Sequence, residues 1–561
     1  MASVDTKACD TPGQADIISP TVCGVTGATR GLTGEAPSPD QETFLSRMTS
    51  TASDEQQATL DFLSHGEAYG LPGRTVERLE THAAFVFLVR DRAYKVKRAV
   101  RYSFLDFSTL EKRRQVIETE LRLNRRTAPE LYRRVLPVTR EDGGRLALEG
   151  SGPPIEWLLE MKRFDQSALL DNVAARGGLE DALLERLADE LVAFHRAADV
   201  RKDRGGAAGI RAVVEGNARD LGSLAGEILP EDEIAALNER AFAELERHRA
   251  LLEERRRGGK VIHCHGDLHL GNIVLIENRP VLFDCLEFDE ALACTDSLYD
   301  LAFLLMDLCH RGLKPEAQRL LSNYQEIEPD DAGLALLPLF QSCRAAIRAK
   351  TQGFGARLAG DDDRAGPMQA SRAYLDLALE LLSPPAPRLV AIGGLSGTGK
   401  SSLARELAPE LGASPGALVL RSDRLRKRLL GAKPTERLGP DAYAPETTAR
   451  VYHEIGRRAA TILSAGHSVI ADAVFADEAE RNAIEASAKR AGAAFCGLWL
   501  EAPVGEMERR IEGRSRDASD ATVEILRRQQ KYDLGQITWR RIEAGDELAA
   551  VAARARATIR I

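Results

Sequence analysis

Hydrophobic and polar residues change their pattern after Phe164, and the change predicts two lobes. Before it, short apolar runs mixed with basic residues predict the strands "AAFVFLVRD", "RAYKVKRAV", "RLALEG" and "IEWLLEMKRF". After it, segments such as "LEDALLERLADELVAFHRAA" have the length and the apolar spacing of long helices. A strand-rich part followed by a helical part is typical of a bilobal α+β domain.

A second change follows the proline-rich segment "SPPAPR" at 383–388. Beyond it, the strands "LVAIGG", "ALVLR", "SVIADA" and "AFCGLWLEA" alternate with helices, which predicts an α/β domain with a doubly wound parallel sheet. Residues 1–50 are rich in Gly, Thr, Ser, Pro and Asp without periodicity, as in a disordered tail. We therefore predict a tail, an α+β domain at 51–382, a linker, and an α/β domain at 389–561.

The composition narrows the class of protein. Hydrophobic residues make up 44% and charged residues 29% of the 561 positions, which is typical of soluble globular proteins. The net charge of −9 provides no global attraction to nucleic acid, and no apolar run approaches the roughly 18 residues of a membrane span. The eight cysteines are scattered, as expected for free thiols in a reducing cytoplasm. We expect a cytoplasmic protein with a small-molecule partner and no membrane partner.

The segment "GLSGTGKS" at 394–401 matches GxxxxGK[ST] between a predicted strand and a predicted helix. Glycines let backbone N–H groups turn towards a phosphate, a lysine reaches the β/γ oxygens, and a hydroxyl binds Mg²⁺. The spacing therefore predicts a site for ATP and Mg²⁺. Its expected residues are Gly394, Gly397, Gly399, Lys400, Ser401 and Ser402.

Three further segments suggest the chemistry of this site. Asp423 follows the second strand and is a candidate base for an acceptor hydroxyl, and Arg426, one turn later, is a candidate for holding an anionic group. Asp472 ends the strand "SVIAD" and is a candidate outer ligand for Mg²⁺. Arg510 and Arg514 lie four residues apart on a predicted helix, either as a mobile lid over the transferring phosphate or as a solvated face.

These features of the carboxy-terminal part resemble the small P-loop kinases that include polynucleotide kinase, gluconate kinase and zeta-type toxins. The resemblance covers about residues 388–535. In that group, the aspartate of a D-x-x-R motif activates the acceptor hydroxyl. The resemblance thus implies that this part of the chain is a kinase.

The segment "HCHGDLHLGN" at 263–272 permits two interpretations. His263, His265 and His269 are candidate zinc ligands if their side chains converge. The alternative is the phosphoryl-transfer loop H-x-D-x-x-x-x-N, in which Asp267 accepts the proton of the acceptor hydroxyl and Asn272 binds Mg²⁺. The intervening glycines fit a turn better than a metal cluster, which favours the second interpretation.

Two carboxylates follow that loop. Asp284 comes twelve residues after Asn272, past two short predicted strands, where the phosphoryl-transfer template has its second metal-binding aspartate. Glu287 is three residues further on and is either a ligand of a second Mg²⁺ or a structural carboxylate.

The same template needs a lysine and a glutamate upstream to hold the nucleotide phosphates. Lys95 on the strand "AYKVK" is the first candidate and Lys97, on the same face, is the second. Glu120 on the following helix is the preferred partner, with Glu118 as the alternative. The backbone near Met161 is a candidate for binding adenine.

Together these residues resemble the aminoglycoside-phosphotransferase branch of the protein-kinase-like fold. More closely, "ETHAAFVFLV", "AYKVKRAV" and "HGDLHLGNI" resemble a bacterial bifunctional family that joins such a domain to a P-loop kinase-like domain, from about residue 55 to the end. The resemblance implies an ATP-dependent phosphotransferase with two nucleotide sites that acts on hydroxyl groups of small molecules. Two alternatives remain: one active kinase domain with the other as a nucleotide switch, or a toxin-like or nucleic-acid-end kinase.

Overall fold

The structure of the protein is a computed structural model whose described residues form two compact units, 54–166 and 167–560. The tail predicted at 1–50 lies outside the described residues. The other positions outside the described residues are 51–53, 82, 102–105, 361–362, 434–435, 514–518 and 561.

The first unit contains a six-stranded sheet in the order β1-β2-β3-β6-β4-β5, in which every pair of described neighbours is antiparallel. Its strands are β1 Glu77–Glu80, β2 Ala84–Val89, β3 Arg92–Lys97, β4 Tyr132–Arg140, β5 Leu146–Leu148 and β6 Pro154–Lys162. Its helices are α1 Asp54–Leu63 and α2 Leu110–Asn124.

The sheet of the first unit forms where apolar residues are dense. All six residues of β2 are buried, and Phe85 and Phe87 belong to a core that also includes Leu60 of α1. The predicted hairpin of β2 and β3 turns through Arg90, whose φ of 52° is left-handed. β1 and β4 were not predicted. The four residues of β1 include no buried position, and arginines separate the first buried positions of β4.

The second unit begins with a helical region that also carries short strands. Its helices are α3 Leu170–Ala175, α4 Asp181–Ala197, α5 Gly206–Gly222, α6 Glu231–Arg247, α7 Arg249–Arg257, α8 Glu290–Ala293, α9 Ser297–His310, α10 Lys314–Ile327, α11 Leu337–Leu358 and α12 Ala365–Leu381. Its strands are β7 Val261–His263, β8 Ile273–Ile276, β9 Arg279–Leu282 and β10 Cys294–Asp296. β7 pairs with β10 and β8 pairs with β9, both antiparallel.

The rest of the second unit is built on a parallel sheet in the order β12-β13-β11-β14-β15. The parallel sheet was predicted, but its edge strand β15 was not. The strands are β11 Arg388–Gly393, β12 Leu418–Arg421, β13 Val469–Asp472, β14 Ala494–Glu501 and β15 Arg540–Glu543. The helices are α13 Lys400–Leu407, α14 Ser422–Leu429, α15 Pro445–Ser464, α16 Glu478–Arg490, α17 Val504–Glu512, α18 Val523–Gln529 and α19 Leu548–Ile559.

The parallel sheet shares a hydrophobic core with the helical region. Because side chains alternate along a strand, Leu389 and Ala391 of β11 join the core of the helical region, whereas Val390 and Ile392 join a second core on the opposite face. Gln318 of α10 also donates from Nε2 to a carbonyl oxygen at the start of β12, at 2.7 Å. Among the described helices, none combines the length and apolar character needed to cross a membrane.

Candidate active sites

The segment between β7 and β8 folds so that Asp267 and Asn272 lie side by side. Both are buried, and Asn272 donates from Nδ2 to the backbone oxygen and to Oδ2 of Asp267, each at 2.9 Å. A carboxylate and an amide oxygen five residues apart are thereby held in one place. This is the spatial arrangement that a base and a neighbouring metal ligand require.

The histidines of this segment hold its backbone. His265 contacts the carbonyl oxygen of Phe283 through Nε2 at 2.8 Å, and its Nδ1 faces the N–H of Asp267 at 3.4 Å. His269 accepts from the N–H of Gly271 through Nδ1 at 3.1 Å. Both rings therefore stabilise the backbone conformation of the loop.

The ligand atoms of the three histidines do not converge on a common point within the part of the chain that the structure describes. The atoms that lie within 4.8 Å of one another there belong to His263, Glu290 and Cys294. Arg201 donates to the Glu290 carboxylate and contacts Cys294 Sγ at 3.5 Å. His265 and His269 do not belong to this group, so the described structure does not bring the three candidate zinc ligands together.

Asp300 of α9 anchors the same loop, and sequence reasoning missed it. Its carboxylate accepts from the backbone N–H groups of His265 and Gly266, at 3.0 and 2.9 Å, and lies 3.3 Å from His195 Nε2. Burial raises the pKa of a carboxyl, but the hydrogen bond from His195 and the positive charges nearby lower the pKa of Asp300 to about 2. His195, which also contacts Tyr324, is thus a buried packing histidine in support of the loop.

Asp284 is held against the loop by backbone contacts on both sides. The N–H of Phe283 donates to Asn272 O at 3.0 Å, and the N–H of Leu286 donates to His265 O at 2.9 Å. Asp284 itself has a φ of 60°, a left-handed conformation that costs free energy for a residue other than glycine. Glu287, three residues after Asp284, is partly buried. Backbone strain at a carboxylate beside such a loop points to a functional position.

The first unit brings Lys95 and Glu120 together. Lys95 Nζ lies 2.7 Å from Glu120 Oε1, and Lys97 Nζ lies 2.6 Å from Glu120 Oε2. Glu120 is fully buried, whereas Glu118 is exposed and pairs with Arg114. One glutamate therefore orients both candidate lysines, and the alternative glutamate faces solvent.

The position of Met161 does not support the expected adenine contact. Met161 lies inside β6, in register with Ala93 on one side and Tyr132 on the other. Both edges of its backbone thus face neighbouring strands. The N–H groups of the next two residues, Lys162 and Arg163, donate to Leu131 O and Asp91 O, each at 2.8 Å.

The segment 394–401 forms a loop between β11 and α13 that only glycines can complete. Gly394, Gly397 and Gly399 have φ values of 138°, 88° and 92°. A Cβ at Gly394 would lie 2.7 Å from the Leu500 carbonyl oxygen, and one at Gly397 would lie 2.6 Å from that of Met507. The loop is therefore closely packed from behind. A glycine-rich loop of this kind can turn backbone N–H groups towards a phosphate.

The polar side chains of this loop converge with Asp472. Lys400 Nζ donates to two backbone carbonyls of the loop, at 2.7 and 3.0 Å. Ser401 Oγ donates to Asp472 Oδ2 at 2.6 Å, and Arg421 lies 3.2 Å from Ser401 Oγ and 3.5 Å from Asp472. A hydroxyl and a carboxylate are the hard oxygen donors that Mg²⁺ prefers, so these residues fit a phosphate-bound magnesium ion.

A cavity of about 1620 Å³ opens beside the loop and contains the other predicted residues of this domain. Asp423, in the first turn of α14, lines it, and burial raises the pKa of its carboxyl although Arg421 opposes the effect. A carboxyl with a raised pKa is a better base for a hydroxyl proton. Arg426 also lines the cavity and is 5% exposed. The volume exceeds that of ordinary ligand pockets and leaves room for a nucleotide together with an acceptor.

The remaining predicted residues lie at the rim of this cavity or outside the described part. Ser402 and Arg510 line it, and Arg510 donates to the Ala544 carbonyl oxygen at 2.8 Å and faces that of Thr398 at 3.4 Å. Its guanidinium is thus held beside the phosphate loop, on the regular helix α17. Arg514 lies outside the described residues.

Both domains of the chain match known protein families. Residues 91–337 match the family model described as the phosphotransferase enzyme family, and residues 389–533 match the one described as an AAA domain. An uncharacterized protein of Mycobacterium tuberculosis is 30% identical over 468 residues, which cover 81% of this chain and 90% of the relative. The relative therefore contains both parts.

Two solved kinase structures are similar to portions of the chain. A gluconokinase from Sinorhizobium meliloti is 20% identical with a TM-score of 0.23, and covers 31% of this chain and 93% of its own. A choline/ethanolamine kinase family protein from Mesorhizobium loti is 14% identical with a TM-score of 0.37, and covers 58% of this chain and 99% of its own. On the family models and the mycobacterial relative, the chain belongs to a bacterial family of proteins that join an aminoglycoside-phosphotransferase-like domain to a P-loop kinase-like domain.

Proposed function

We propose that the chain is an ATP-dependent phosphotransferase with two nucleotide sites, each of which transfers the γ-phosphate to a hydroxyl group of a small molecule. The observation that carries the proposal is the cluster of Lys400, Ser401 and Asp472 in the same cavity as Asp423. A phosphate-binding loop, a pair of metal-binding oxygens and a carboxylate base are the parts that phosphoryl transfer needs. In this proposal, the carboxy-terminal domain has the doubly wound arrangement of small P-loop kinases.

In the carboxy-terminal site, each side chain has one assigned task. The N–H groups of the loop and Lys400 hold the nucleotide phosphates, and Asp423 accepts the proton of the acceptor hydroxyl. The hydroxyl oxygen bonds to the γ-phosphorus while the bond from that phosphorus to the β–γ bridging oxygen breaks, and ADP leaves. Ser401 and Asp472 would hold Mg²⁺, which would neutralise charge on the phosphate oxygens when bound. Arg510 adds positive charge beside the loop.

The acceptor of this site is proposed to carry an anionic group. Arg426 is buried and donates from Nη1 to Ala442 O at 2.8 Å, and its guanidinium lies over the ring of Tyr443. Because the Arg426 guanidinium is cationic and lines the cavity together with Asp423, an incoming carboxylate or phosphate is its natural partner.

In the amino-terminal domain, the assignment follows the loop geometry. Asp267 is assigned as base and aligner of the acceptor hydroxyl, and Asn272 with Asp284 as ligands of Mg²⁺. Lys95, oriented by Glu120, is assigned to the nucleotide phosphates. The described cysteines are free thiols, which supports the cytoplasm as the compartment of the enzyme.

The test is ATP consumption against pools of small metabolites with each site disabled in turn. Asp267→Asn and Asp423→Asn are made separately and together in the full chain. A general base typically contributes about 10²–10⁴-fold, so each variant should lose that much of the turnover supported by its own acceptor. Nucleotide affinity should remain nearly unchanged, because neither residue holds the phosphates.

The outcomes separate the proposal from its alternatives. If only Asp267→Asn loses turnover, the carboxy-terminal domain is a nucleotide switch and not a second kinase. If the chain phosphorylates nucleic-acid ends and no metabolite, the small-molecule assignment is wrong. Wild-type turnover by both variants would refute the assigned mechanism.

A further inference from the structure

Helix α4 lines the cavity of the carboxy-terminal site, although it belongs to the region that matches the phosphotransferase family. Asp181, Ala182 and Glu185, all in its first two turns, face the same space as Lys400 and Asp423. All of these residues belong to the second compact unit. One wall of the carboxy-terminal site is therefore supplied by the other domain.

Two carboxylates of the helical region hold the residue next to the assigned base. Arg424 follows Asp423 directly, and its guanidinium pairs with Glu185 of α4 at 2.7 Å and with Glu326 of α10 at 3.1 Å. The Arg424 side chain is 20% exposed and that of Glu326 is 22% exposed, so the contact is largely shielded from solvent. The start of α14 is thus fastened to two helices at once.

A second arginine–carboxylate pair lies on the helix that follows the phosphate loop. Arg405, one turn into α13, pairs with Asp181 of α4 at 3.2 Å, and Asp181 also pairs with Arg319 of α10 at 2.9 Å. The two helices that carry the phosphate loop and the assigned base therefore both contact α4 through arginine–carboxylate pairs.

We propose that the carboxy-terminal kinase site is composite, and that Glu185 and Glu326 position Asp423 by holding Arg424. This inference rests on the function proposed for that site. Both carboxylates act through the orientation of α14. Glu326 is not among the residues that line the cavity, whereas Glu185 also faces it. Ion pairs of this exposure contribute little to stability, but a misplacement of about 1 Å at a reacting group lowers a rate by on the order of 10²-fold.

The first test measures turnover in the full chain carrying Asp267→Asn, with Mg-ATP and a mixture of sugar acids, polyols and nucleosides. Glu326→Gln and Glu185→Gln should lower kcat by about 10- to 100-fold and leave the KM for ATP unchanged. The matched control is Glu190→Gln, which lies on the same helix but pairs with Arg279 at 3.8 Å, and it should retain wild-type kcat.

A double-mutant cycle shows whether the carboxylates act through Arg424. Arg424→Met should lower kcat as the glutamine variants do, and Arg424→Lys should restore part of it. Adding Glu326→Gln to Arg424→Met should produce no further loss. Additive losses, or wild-type kcat in both glutamine variants, would overturn the positioning role.

The second test does not depend on turnover. Hydrogen–deuterium exchange is measured on the Lys95→Ala chain with Mg-ADP as the probe, and backbone amides at 181–188 should become more protected together with the phosphate loop. Lys400→Ala should abolish both effects. Protection of the loop alone would refute the composite site. If the chain shows no Lys400-dependent turnover, the proposed kinase function of this site fails, and the exchange result still decides whether α4 belongs to it.

Discussion

Replacing Asp300 by asparagine tests the anchor of the amino-terminal loop. In the wild type, one carboxylate oxygen accepts from Gly266 N–H and the other from His265 N–H and faces His195 Nε2. An amide keeps one acceptor, but its NH₂ group then faces donors. Removing the charge and leaving a buried donor without a partner should cost about 3–5 kcal/mol of unfolding free energy.

The pH dependence of this effect has a definite sign. Because the pKa of Asp300 is lowered from 3.8 to about 2 in the folded protein, ionisation contributes on the order of 2 kcal/mol of stability above pH 4. That contribution is lost as the pH falls from about 4 to about 2. The stability difference between wild type and Asp300→Asn should therefore shrink over the same interval.

The assay is urea unfolding followed by circular dichroism, together with turnover at the amino-terminal site. Asp376→Asn, an exposed change on α12, is the control and should match wild type in both. Loosening the loop should lower turnover by about 10- to 100-fold at neutral pH. An unfolding midpoint and a rate equal to those of wild type would refute the role of Asp300.

Three further predictions concern other parts of the chain. Gly397→Ala should abolish nucleotide binding at the carboxy-terminal site, measured by calorimetry, because the new Cβ would lie 2.6 Å from a backbone oxygen, and retained affinity would contradict the packing described for the loop. Glu120→Gln should weaken nucleotide binding at the amino-terminal site, since Lys95 loses its orienting charge, and an unchanged Kd would contradict that role. Arg458→Met should cost about 3–5 kcal/mol in thermal unfolding, because it leaves the Asp331 carboxylate buried without its partner, and an unchanged Tm would contradict the buried pair.

Local motifs could be recognised from the sequence because their chemistry lies within a few residues. The phosphate loop needs glycines and a lysine at fixed spacing, and the pairing of Asp267 with Asn272 spans five positions. The parallel sheet was predicted from the alternation of strands and helices. By contrast, β4 was missed because arginines interrupt its apolar positions. The adenine contact expected near Met161 stays a prediction, although this residue lies in a central strand.

Side-chain contacts between residues far apart in the chain could not be recognised from the sequence. Asp300 lies 35 positions after His265, and Glu185 lies 239 positions before Arg424. A carboxylate on a helix has the same sequence signature whether it faces solvent or anchors an active-site segment. The apolar character of α9 offered one hint, since a buried aspartate in such a helix requires hydrogen-bond donors.

The central claim is that the chain has two nucleotide sites, and calorimetric titration with a non-hydrolysable ATP analogue and Mg²⁺ tests it most directly. Wild type should bind two nucleotides per chain. The Lys400→Ala variant should bind one nucleotide, at the amino-terminal site. The Lys95→Ala variant should keep its affinity at the carboxy-terminal site and bind more weakly at the amino-terminal site. A single site in wild type that neither substitution affects would contradict the account.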